Sequence, residues 1–430
     1  MMGILSSKGY ELVQDPAEAE LIICNTCAFV QDAAQESVNQ VLELASYKKT
    51  GNLRVLVVAG CLGQRYGEGL LRAMPEVDGV IGTGEFPKIA EVCERTLGGE
   101  KVVAVAEPNH LYSHLTPRLL ATPTHYAYLK IAEGCDNLCS YCVIPGLRGK
   151  YRSREFGSVV AEAEILADRG VKEIVLVAQD TTNYGRDLYG KPRLAELLQA
   201  ISRIEGIRWL RLLYTHPRNY TDELVKTVSE EDRILKYLDL PVQHISDRML
   251  KAMNRNVTGA EIEGLISKLR RRIPGLALRT SLIVGFPGEG EEEFEELLDF
   301  VGRVKFERLG VFRYSREEGT ALARMRPQVP EGVKAEREET ILELQRRVSG
   351  ERNACRVGEV LEVLVDAKVA PGVGPFGYLG RTAWDAPEID CSVFLRGKSL
   401  KAGEFVKARI FATDDFDLFG EVVSAPFSNL

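Results

Sequence analysis

The stretch that decides this fold is Gly134-Cys135-Asp136-Asn137-Leu138-Cys139-Ser140-Tyr141-Cys142. Cys135, Cys139 and Cys142 form a C-x3-C-x2-C triplet. A structural zinc site takes four protein ligands, and a ferredoxin cluster also takes four cysteines. Three thiolates instead suit a cuboidal iron-sulfur cluster whose fourth iron binds another molecule. The alternatives are three ordinary buried cysteines or an incomplete zinc knuckle.

This triplet resembles the signature of the radical S-adenosylmethionine (SAM) superfamily. The resemblance implies a [4Fe-4S] cluster on the three thiolates, with SAM chelated by the fourth iron. One electron then cleaves SAM and gives a radical that removes hydrogen from an unactivated carbon. The segment 281–289 is similar to the superfamily's G-x-I-x-G-x-x-E stretch, with Ser281 in place of the first glycine.

The same resemblance implies contacts to SAM from residues after several strands. A strand-turn-helix junction, a polar loop and simple core packing explain these residues as well. The expected SAM contacts are Tyr141, Gln179, Asp180, Ile283, Gly285 and Glu289. The pattern offers no pair of acid and base residues to name as catalytic.

Composition excludes several classes of protein. The 430-residue chain carries a net charge of −7, which does not favour non-specific binding to DNA or RNA. It has no apolar run of membrane-spanning length and no secretion signal, so we expect a cytoplasmic protein without membrane contacts. Nine cysteines without a signal favour metal ligation over disulfides.

Residues 1–100 are predicted to form a small α/β domain. Apolar runs at 21–24, 53–59 and 79–82 alternate with a helical pattern over 29–48, which indicates parallel strands. Cys27 and Cys61 each follow the carboxyl end of a strand, where open α/β sheets place their sites. Residues 101–122 show no period and are expected to be a linker.

Residues 123–352 are predicted to form the largest domain. Six apolar strands separated by amphipathic helices are too few for a closed eight-stranded barrel, and they indicate an open partial (β/α)6 barrel. The cysteine triplet follows the first of these strands, and a charged helix over 330–349 ends the domain. The strands are predicted at 126–131, 173–178, 208–214, 236–240, 276–284 and 308–312.

Residues 353–430 change character. Short strands at 360–366, 376–381, 390–396 and 405–413 are separated by Gly and Pro, which predicts a small antiparallel β-barrel. From Arg356 to Leu430 there are eight Lys and Arg against eleven Asp and Glu, so the barrel is mildly acidic.

Together the three domains resemble the methylthiotransferase family of radical SAM enzymes over essentially the whole chain. The resemblance implies that three N-terminal cysteines, here including Cys27 and Cys61, hold a second [4Fe-4S] cluster. One SAM then methylates sulfur and another starts the radical, so C–H becomes C–S–CH3. The small barrel resembles a TRAM domain, which contacts a macromolecular substrate.

One branch of this family modifies an aspartate of small-subunit ribosomal protein twelve, and another modifies an adenosine of transfer RNA. An acidic barrel suits a basic ribosomal protein better than it suits RNA, although its charges also fit a merely solvated surface. We therefore expect the ribosomal protein as substrate, free or on the ribosome, and an electron donor such as flavodoxin or ferredoxin. A transfer-RNA enzyme and a non-catalytic iron-sulfur scaffold are the alternatives. Stretches similar to the first branch lie at 139–145, 148–154, 178–185, 314–320 and 380–390.

The sequence departs from the family near Met1. The family's opening strand and its Leu-Gly-Cys-Pro-Lys-Asn-like segment are absent, so the first strand and the first ligand of the second cluster are expected to be missing. A misplaced start, replacement of that ligand by Cys24, and a labile two-ligand cluster are the three explanations. The basic stretch Arg148 to Arg154 fits either a contact to substrate or SAM, or an exposed turn.

Overall fold

The computed structural model describes residues 1–324, 327–370 and 375–424. The chain forms two compact units that are each assembled from separate segments. Unit 1 comprises Met1–Leu119, Ala132–Arg154 and Ser315–Arg324, and unit 2 comprises Leu120–Ile131, Glu155–Tyr314 and the described part of Met325–Leu430. The predicted boundaries at 100, 122 and 352 stay a prediction. None of the helices in the described ranges is long and apolar enough to cross a membrane.

Short strands and helices alternate along most of the chain. The strands are β1 Leu21–Thr26, β2 Val55–Gly60, β3 Gly79–Ile81, β4 Val102–Ala104, β5 Tyr126–Lys130, β6 Ala132–Glu133, β7 Arg152–Ser153, β8 Glu173–Val177, β9 Trp209–Leu212, β10 Ile234–Asp239, β11 Ala277–Val284, β12 Arg308–Arg313, β13 Val360–Lys368, β14 Tyr378–Arg381, β15 Val393–Arg396, β16 Phe405–Thr413 and β17 Leu418–Ser424. The α-helices are α1 Met2–Ser7, α2 Gln31–Ala45, α3 Tyr47–Thr50, α4 Cys61–Tyr66, α5 Glu68–Ala73, α6 Ile89–Leu97, α7 Ile144–Arg148, α8 Phe156–Asp168, α9 Arg186–Tyr189, α10 Leu194–Ser202, α11 Asp222–Glu230, α12 Asp247–Ala252, α13 Gly259–Arg272, α14 Glu291–Val304 and α15 Glu331–Ala354.

Unit 1 is built on a parallel sheet in the order β1-β2-β3-β4. Apolar clusters cover both faces of this sheet, and β2 is buried along nearly its whole length. Strands that are covered on both faces read as continuous apolar runs, so the sequence predicts β1, β2 and β3 correctly. The sequence does not predict β4, because its three residues fall within the expected linker.

Unit 2 contains a parallel sheet of six strands in the order β12-β11-β10-β9-β8-β5. Strands that are neighbours in this sheet are also consecutive along the chain, as expected for repeated strand-helix units. All six predicted strands of this domain are confirmed, with small shifts at their ends. The sheet is open, with β5 and β12 at its edges.

The C-terminal part of unit 2 is a closed five-stranded barrel in the order β13-β14-β15-β17-β16. With the two parallel sheets and this barrel, the predicted α/β fold class is confirmed. Four of the pairings are antiparallel, and the pair β15–β17 is parallel. The sequence misses β17, where Gly420 interrupts the alternation of apolar residues and packs against Ala408.

Buried ion pairs join this barrel to one face of the six-stranded sheet. Glu173, the first residue of β8, pairs with Arg211 of β9 at 2.7 Å and with Arg381 of β14 at 2.8 Å. Arg381 also pairs with Asp366 at 2.8 Å, and Asp366 accepts a hydrogen bond from His125 at 2.8 Å. Burial alone would raise the pKa of Asp366, but His125 and Arg381 hold it below its ordinary value. The charges therefore compensate one another inside the fold.

We predict that Glu173→Gln destabilises the protein strongly. The change leaves the guanidinium groups of Arg211 and Arg381 buried without their shared carboxylate, which should reduce the free energy of unfolding by about 3–5 kcal/mol. Thermal unfolding followed by circular dichroism measures this loss.

The matched control is Glu362→Gln. Glu362 pairs with Arg208 at 2.8 Å and also joins the barrel to the sheet, but its side chain is 36% exposed. Its loss should change the free energy of unfolding by less than about 1 kcal/mol. Equal effects of the two variants would contradict the importance of the buried pairs.

Candidate functional site

The loop that carries Cys135, Cys139 and Cys142 belongs to unit 1 and has a rigid base. The two-stranded ribbon β6–β7 pairs Glu133 with Arg152 just before and after it. Gly134 has φ +82°, and a Cβ at this position would lie 2.1 Å from the carbonyl oxygen of Lys150. Glycine is therefore required where the loop leaves the ribbon.

The three predicted cluster cysteines are half-buried on this loop. The N–H of Cys142 donates to the carbonyl of Cys139 at 3.0 Å, which turns the chain between these two ligands. Tyr141 lies in the same turn and is half-buried. Across the described residues, no three His, Cys, Asp or Glu side chains are gathered into a metal-binding group. The donor set still fits a cluster, because three thiols outside disulfides share one short loop.

The structure brings Cys27 and Cys61 to neighbouring strand ends. Thr26, the last residue of β1, pairs with Gly60, the last residue of β2, and the two cysteines follow directly. Gly60 has φ +95°, and a Cβ there would lie 2.7 Å from the carbonyl oxygen of Thr26. The side chain of Cys27 is exposed, whereas that of Cys61 is buried at the start of α4.

Arg148 links the cysteine loop to Cys61 within unit 1. It is the last residue of α7, the helix that follows the loop, and its Nη2 lies 3.4 Å from Sγ of Cys61. Its Nη1 lies 3.6 Å from Glu133, beside the base of the loop. The expected contact of this arginine with substrate or SAM stays a prediction, and the structure adds a contact with a thiol. No spacing rule signals such a contact, because the two residues are 87 positions apart.

Cys24, the alternative third ligand of the second cluster, lies in the apolar core of unit 1. It is 8% exposed, pairs with Val58 and belongs to the apolar cluster of α2 and β2. Burial raises the pKa of the Cys24 thiol, which disfavours the thiolate that a metal requires. Its surroundings therefore favour a packing role over that of a third ligand.

A buried ion pair holds the elements around Cys27 and Cys61. Glu317 accepts hydrogen bonds from Arg65 of α4 at 2.7 Å and from the N–H of Gln31, the first residue of α2, at 2.7 Å. Arg65 also donates to the carbonyl of Ala28 at 3.0 Å. The carboxylate therefore caps α2 and fixes α4 at the same time.

In unit 2, Gln179 and Asp180 follow the carboxyl end of β8 as predicted. Oε1 of Gln179 is buried and has no hydrogen-bond partner among the described residues, so it is available to a donor such as an ammonium group. Asp180 is buried, and it accepts hydrogen bonds from Thr182 at 2.5 Å and Asn219 at 2.9 Å. Asp180 therefore holds this loop together.

Ile283, Gly285 and Glu289 lie at the end of β11 and in the turn that follows it. Gly285 has φ +71°, which favours glycine. Glu289 accepts hydrogen bonds from the N–H of Gly285 at 2.9 Å and from Arg337 at 2.7 Å, and His244 lies 3.7 Å from it. Its carboxylate thus stabilises the turn from inside the protein, and a direct contact with SAM stays a prediction.

Two buried histidines near these turns are not predicted from the sequence. Burial, Arg255 and Arg218 together lower the pKa of His216 to about 2, so its ring is neutral at physiological pH. Its main-chain N–H donates to Thr182, which in turn donates to Asp180. His244 is fully buried and accepts two main-chain N–H groups through Nδ1. Single histidines without a spaced partner give no sequence signal.

We predict that Glu289→Gln destabilises the protein at neutral pH and has less effect in acid. Burial would raise the pKa of Glu289, but His244, the Gly285 N–H and Arg337 lower it. Its stabilisation is therefore complete above the unfolded pKa of about 4.3 and is lost as the pH falls through the lower folded value. Urea unfolding should show a loss of about 3 kcal/mol at neutral pH.

The control is Glu291→Gln, because Glu291 also pairs with Arg337, at 3.3 Å, but is 73% exposed. Its free energy of unfolding should equal that of the wild type at every pH. Below about pH 4, the free energies of unfolding of Glu289→Gln and wild type should become more similar. If they do not, the assigned pKa shift is wrong.

Three family profiles match the chain. The Radical SAM superfamily covers residues 129–301, the Uncharacterized protein family UPF0004 covers residues 1–82, and the TRAM domain covers residues 357–423. A radical SAM domain implies SAM and a [4Fe-4S] cluster, so these two expected cofactors are confirmed. The profiles also agree with the prediction of a radical SAM core followed by a C-terminal barrel that resembles a TRAM domain.

Similar proteins agree with these profiles. Relatives named Ribosomal protein uS12 methylthiotransferase RimO are 51% identical in Pelotomaculum thermopropionicum, over 98% of this chain and 95% of the relative, and 46% identical in Heliobacterium modesticaldum, over 99% and 92%. The structure of the radical SAM methyltransferase TsrM from Kitasatospora setae aligns with a TM-score of 0.51 at 17% identity, over 69% of this chain and 62% of that chain, which supports the fold alone. At these identities over nearly its whole length, the chain belongs to the RimO family of radical SAM methylthiotransferases.

Proposed function

We propose that the protein methylthiolates the β-carbon of an aspartate in ribosomal protein uS12, so that C–H becomes C–S–CH3. The observation that carries this proposal is the identity of about half of all residues, over nearly full length, to relatives with that name. The acidic barrel supports it, because a ribosomal protein that binds RNA is basic.

The proposal assigns metal ligands to two groups of cysteines. Cys135, Cys139 and Cys142 hold the [4Fe-4S] cluster that binds SAM. Cys27 and Cys61 supply two of the three expected ligands of a second [4Fe-4S] cluster, and the adjacent strand ends that carry them support this pairing. Arg148 donates to Cys61 at 3.4 Å and would stabilise the negative charge of a ligating thiolate there.

The SAM contacts are proposed residue by residue. Gln179 receives the amino group of SAM at its unpartnered Oε1, and Asp180 shapes the loop beside it. Tyr141, Ile283 and Gly285 border the adenine, while Glu289 fixes the turn behind it.

When bound, the cluster and SAM supply the one-electron chemistry that opens a C–H bond. The chain's own residues orient SAM and substrate and exclude water. The proposed domains are an N-terminal α/β domain at 1–100, a linker at 101–122, a radical SAM core at 123–352 and a barrel at 353–430.

The expected partners follow from the proposed methylthiolation of uS12. The substrate is uS12, free or on the ribosome, and the electron comes from a donor such as flavodoxin or ferredoxin. Such donors and ribosomal proteins place the reaction in the cytoplasm, without DNA or a membrane as a partner.

A reconstitution assay tests the function. We predict that the protein, incubated with reductant, sulfide as the sulfur donor, SAM and uS12, adds a methylthio group to one aspartate, as read by mass spectrometry of peptides. Cys135→Ala should abolish both this product and 5′-deoxyadenosine formation, because it removes one of the three thiolates proposed to hold the cluster that binds SAM. The control Cys355→Ala removes an exposed cysteine and should retain activity.

The other outcomes decide between the alternatives. Methylthiolation of transfer RNA instead of uS12 would assign the protein to the other branch. If the wild type cleaves no SAM at all, both enzymatic functions are wrong and the non-catalytic scaffold is favoured.

Iron content tests the second cluster separately. We predict about eight irons per chain in the reconstituted wild type and about four in Cys27→Ala, because each cubane holds four. Cys27 is exposed, so this change leaves the core intact. About four irons in both proteins would mean that the second cluster does not form.

A further inference from the structure

Tyr214 has a strained main chain where the chain leaves a strand of unit 2. It follows the last residue of β9 by two positions and has φ +55°, a left-handed conformation that is unfavourable for a bulky side chain. Among the described residues, it is the only aromatic one with a positive φ. A residue keeps such a conformation only where its surroundings hold it, and strain of this kind clusters at functional sites.

Hydrogen bonds from the two neighbouring strands' ends hold the main chain of Tyr214. Its N–H donates to Oδ2 of Asp239, the last residue of β10, at 2.9 Å. Its carbonyl accepts from the N–H of Thr181 at 2.9 Å and from the hydroxyl of Thr181 at 3.1 Å. Asp239 and Thr181 are both buried, and Arg279 donates to Asp239 at 3.0 Å. These contacts therefore impose the left-handed conformation on Tyr214.

The ring of Tyr214 is not needed to fill the core. β9 is buried along its whole length, whereas the side chain of Tyr214 is 47% exposed. Partial burial and the charge of Asp239 raise the pKa of Tyr214, and Arg279 lowers it, so the hydroxyl stays protonated at neutral pH. The exposed side chain thus offers a partner an aromatic surface and a hydrogen-bond donor.

Tyr214 lies beside the proposed SAM site. Thr181, which binds the Tyr214 carbonyl, follows Gln179 by two positions in the loop after β8. Strands β8 and β9 are neighbours in the sheet, so Gln179 and Tyr214 follow adjacent carboxyl ends. A substrate that loses hydrogen to a radical made from SAM has to lie close to SAM. The exposed ring next to the SAM loop is therefore well placed to contact that substrate.

We propose that Tyr214 binds the segment of uS12 that carries the target aspartate, with its ring against the peptide and its hydroxyl donating to an oxygen of that segment. This proposal rests on the proposed function. It accounts for the strain, because the left-handed turn occurs where the chain leaves the buried strand and the side chain becomes exposed. Tight hydrogen bonding of the main chain then keeps the ring in one place for the substrate.

The test compares Tyr214→Ala, Tyr214→Gly and Tyr214→Phe in the reconstituted enzyme. Alanine and glycine both remove the ring, and each should raise the KM for uS12 about tenfold, as for the loss of an aromatic contact in an interface. The methylthiolated product formed per 5′-deoxyadenosine should also fall about tenfold, because a loosely held substrate leaves SAM cleavage uncoupled. Tyr214→Phe keeps the ring and should lose less. In all three variants, 5′-deoxyadenosine formation without uS12 should equal that of the wild type.

A stability measurement separates substrate binding from a structural role of the ring. Glycine adopts a positive φ without strain, so the equilibrium constant of unfolding in urea should be about threefold lower in Tyr214→Gly than in Tyr214→Ala. The two variants should nevertheless share the same rise in KM, because both lack the ring. Tyr214→Gly also keeps the test open if Tyr214→Ala folds poorly.

The matched control is Phe416→Ala. Phe416 is an aromatic residue of the same unit that is 45% exposed, and its replacement should change neither KM nor the product ratio.

Three results would overturn the role of Tyr214. One is an unchanged KM and product ratio in Tyr214→Ala and Tyr214→Gly. Another is a rise in KM that alanine causes and glycine does not, which would make the effect structural. The third is an equal loss of 5′-deoxyadenosine without uS12, which would assign Tyr214 to SAM. If the wild type methylthiolates no uS12, the proposed function fails, and the binding role of Tyr214 fails with it.

Discussion

Parallel pairing of neighbouring strands is the constraint on which both units of this protein depend. In unit 1 it places Thr26 opposite Gly60, and Cys27 and Cys61 follow at one edge of the sheet. In unit 2 it aligns six strands in chain order, so that Gln179 and Gly285 each follow a carboxyl end. Side chains far apart in sequence become neighbours only because main-chain hydrogen bonds hold the strands in register.

Buried charge is the second organising feature of unit 2. Glu173, Arg211 and Arg381 form one compensated group, and Arg308 with Asp385 forms another. Such groups add little net stability compared with apolar residues, but losing one member leaves a charge uncompensated. They therefore specify how the barrel attaches to the sheet.

In unit 1, Arg148 links the loop of the cysteine triplet to Cys61. Its helix follows the loop of Cys135, Cys139 and Cys142, and its guanidinium reaches Cys61. A guanidinium with one N–H on a sulfur suits a thiolate that ligates a metal. Glu317 adds stability on the other side by capping α2 and binding Arg65. The proposed metal ligands are thus carried by elements that buried polar contacts hold in place.

The sequence by itself determined the cysteine triplet, the strands of both parallel sheets except β4, and the acidic barrel, because apolar runs and cysteine spacing are local patterns. It did not reveal β17, the contact of Arg148 with Cys61, the internal role of Glu289 or the contacts of Asp385 and Glu388 with the two edge strands β12 and β5. Each of these depends on partners tens to hundreds of residues away, as with Tyr126 and Glu388, which are 262 positions apart. Tertiary structure alone decided them, because only strand register and close packing bring such groups within hydrogen-bonding distance.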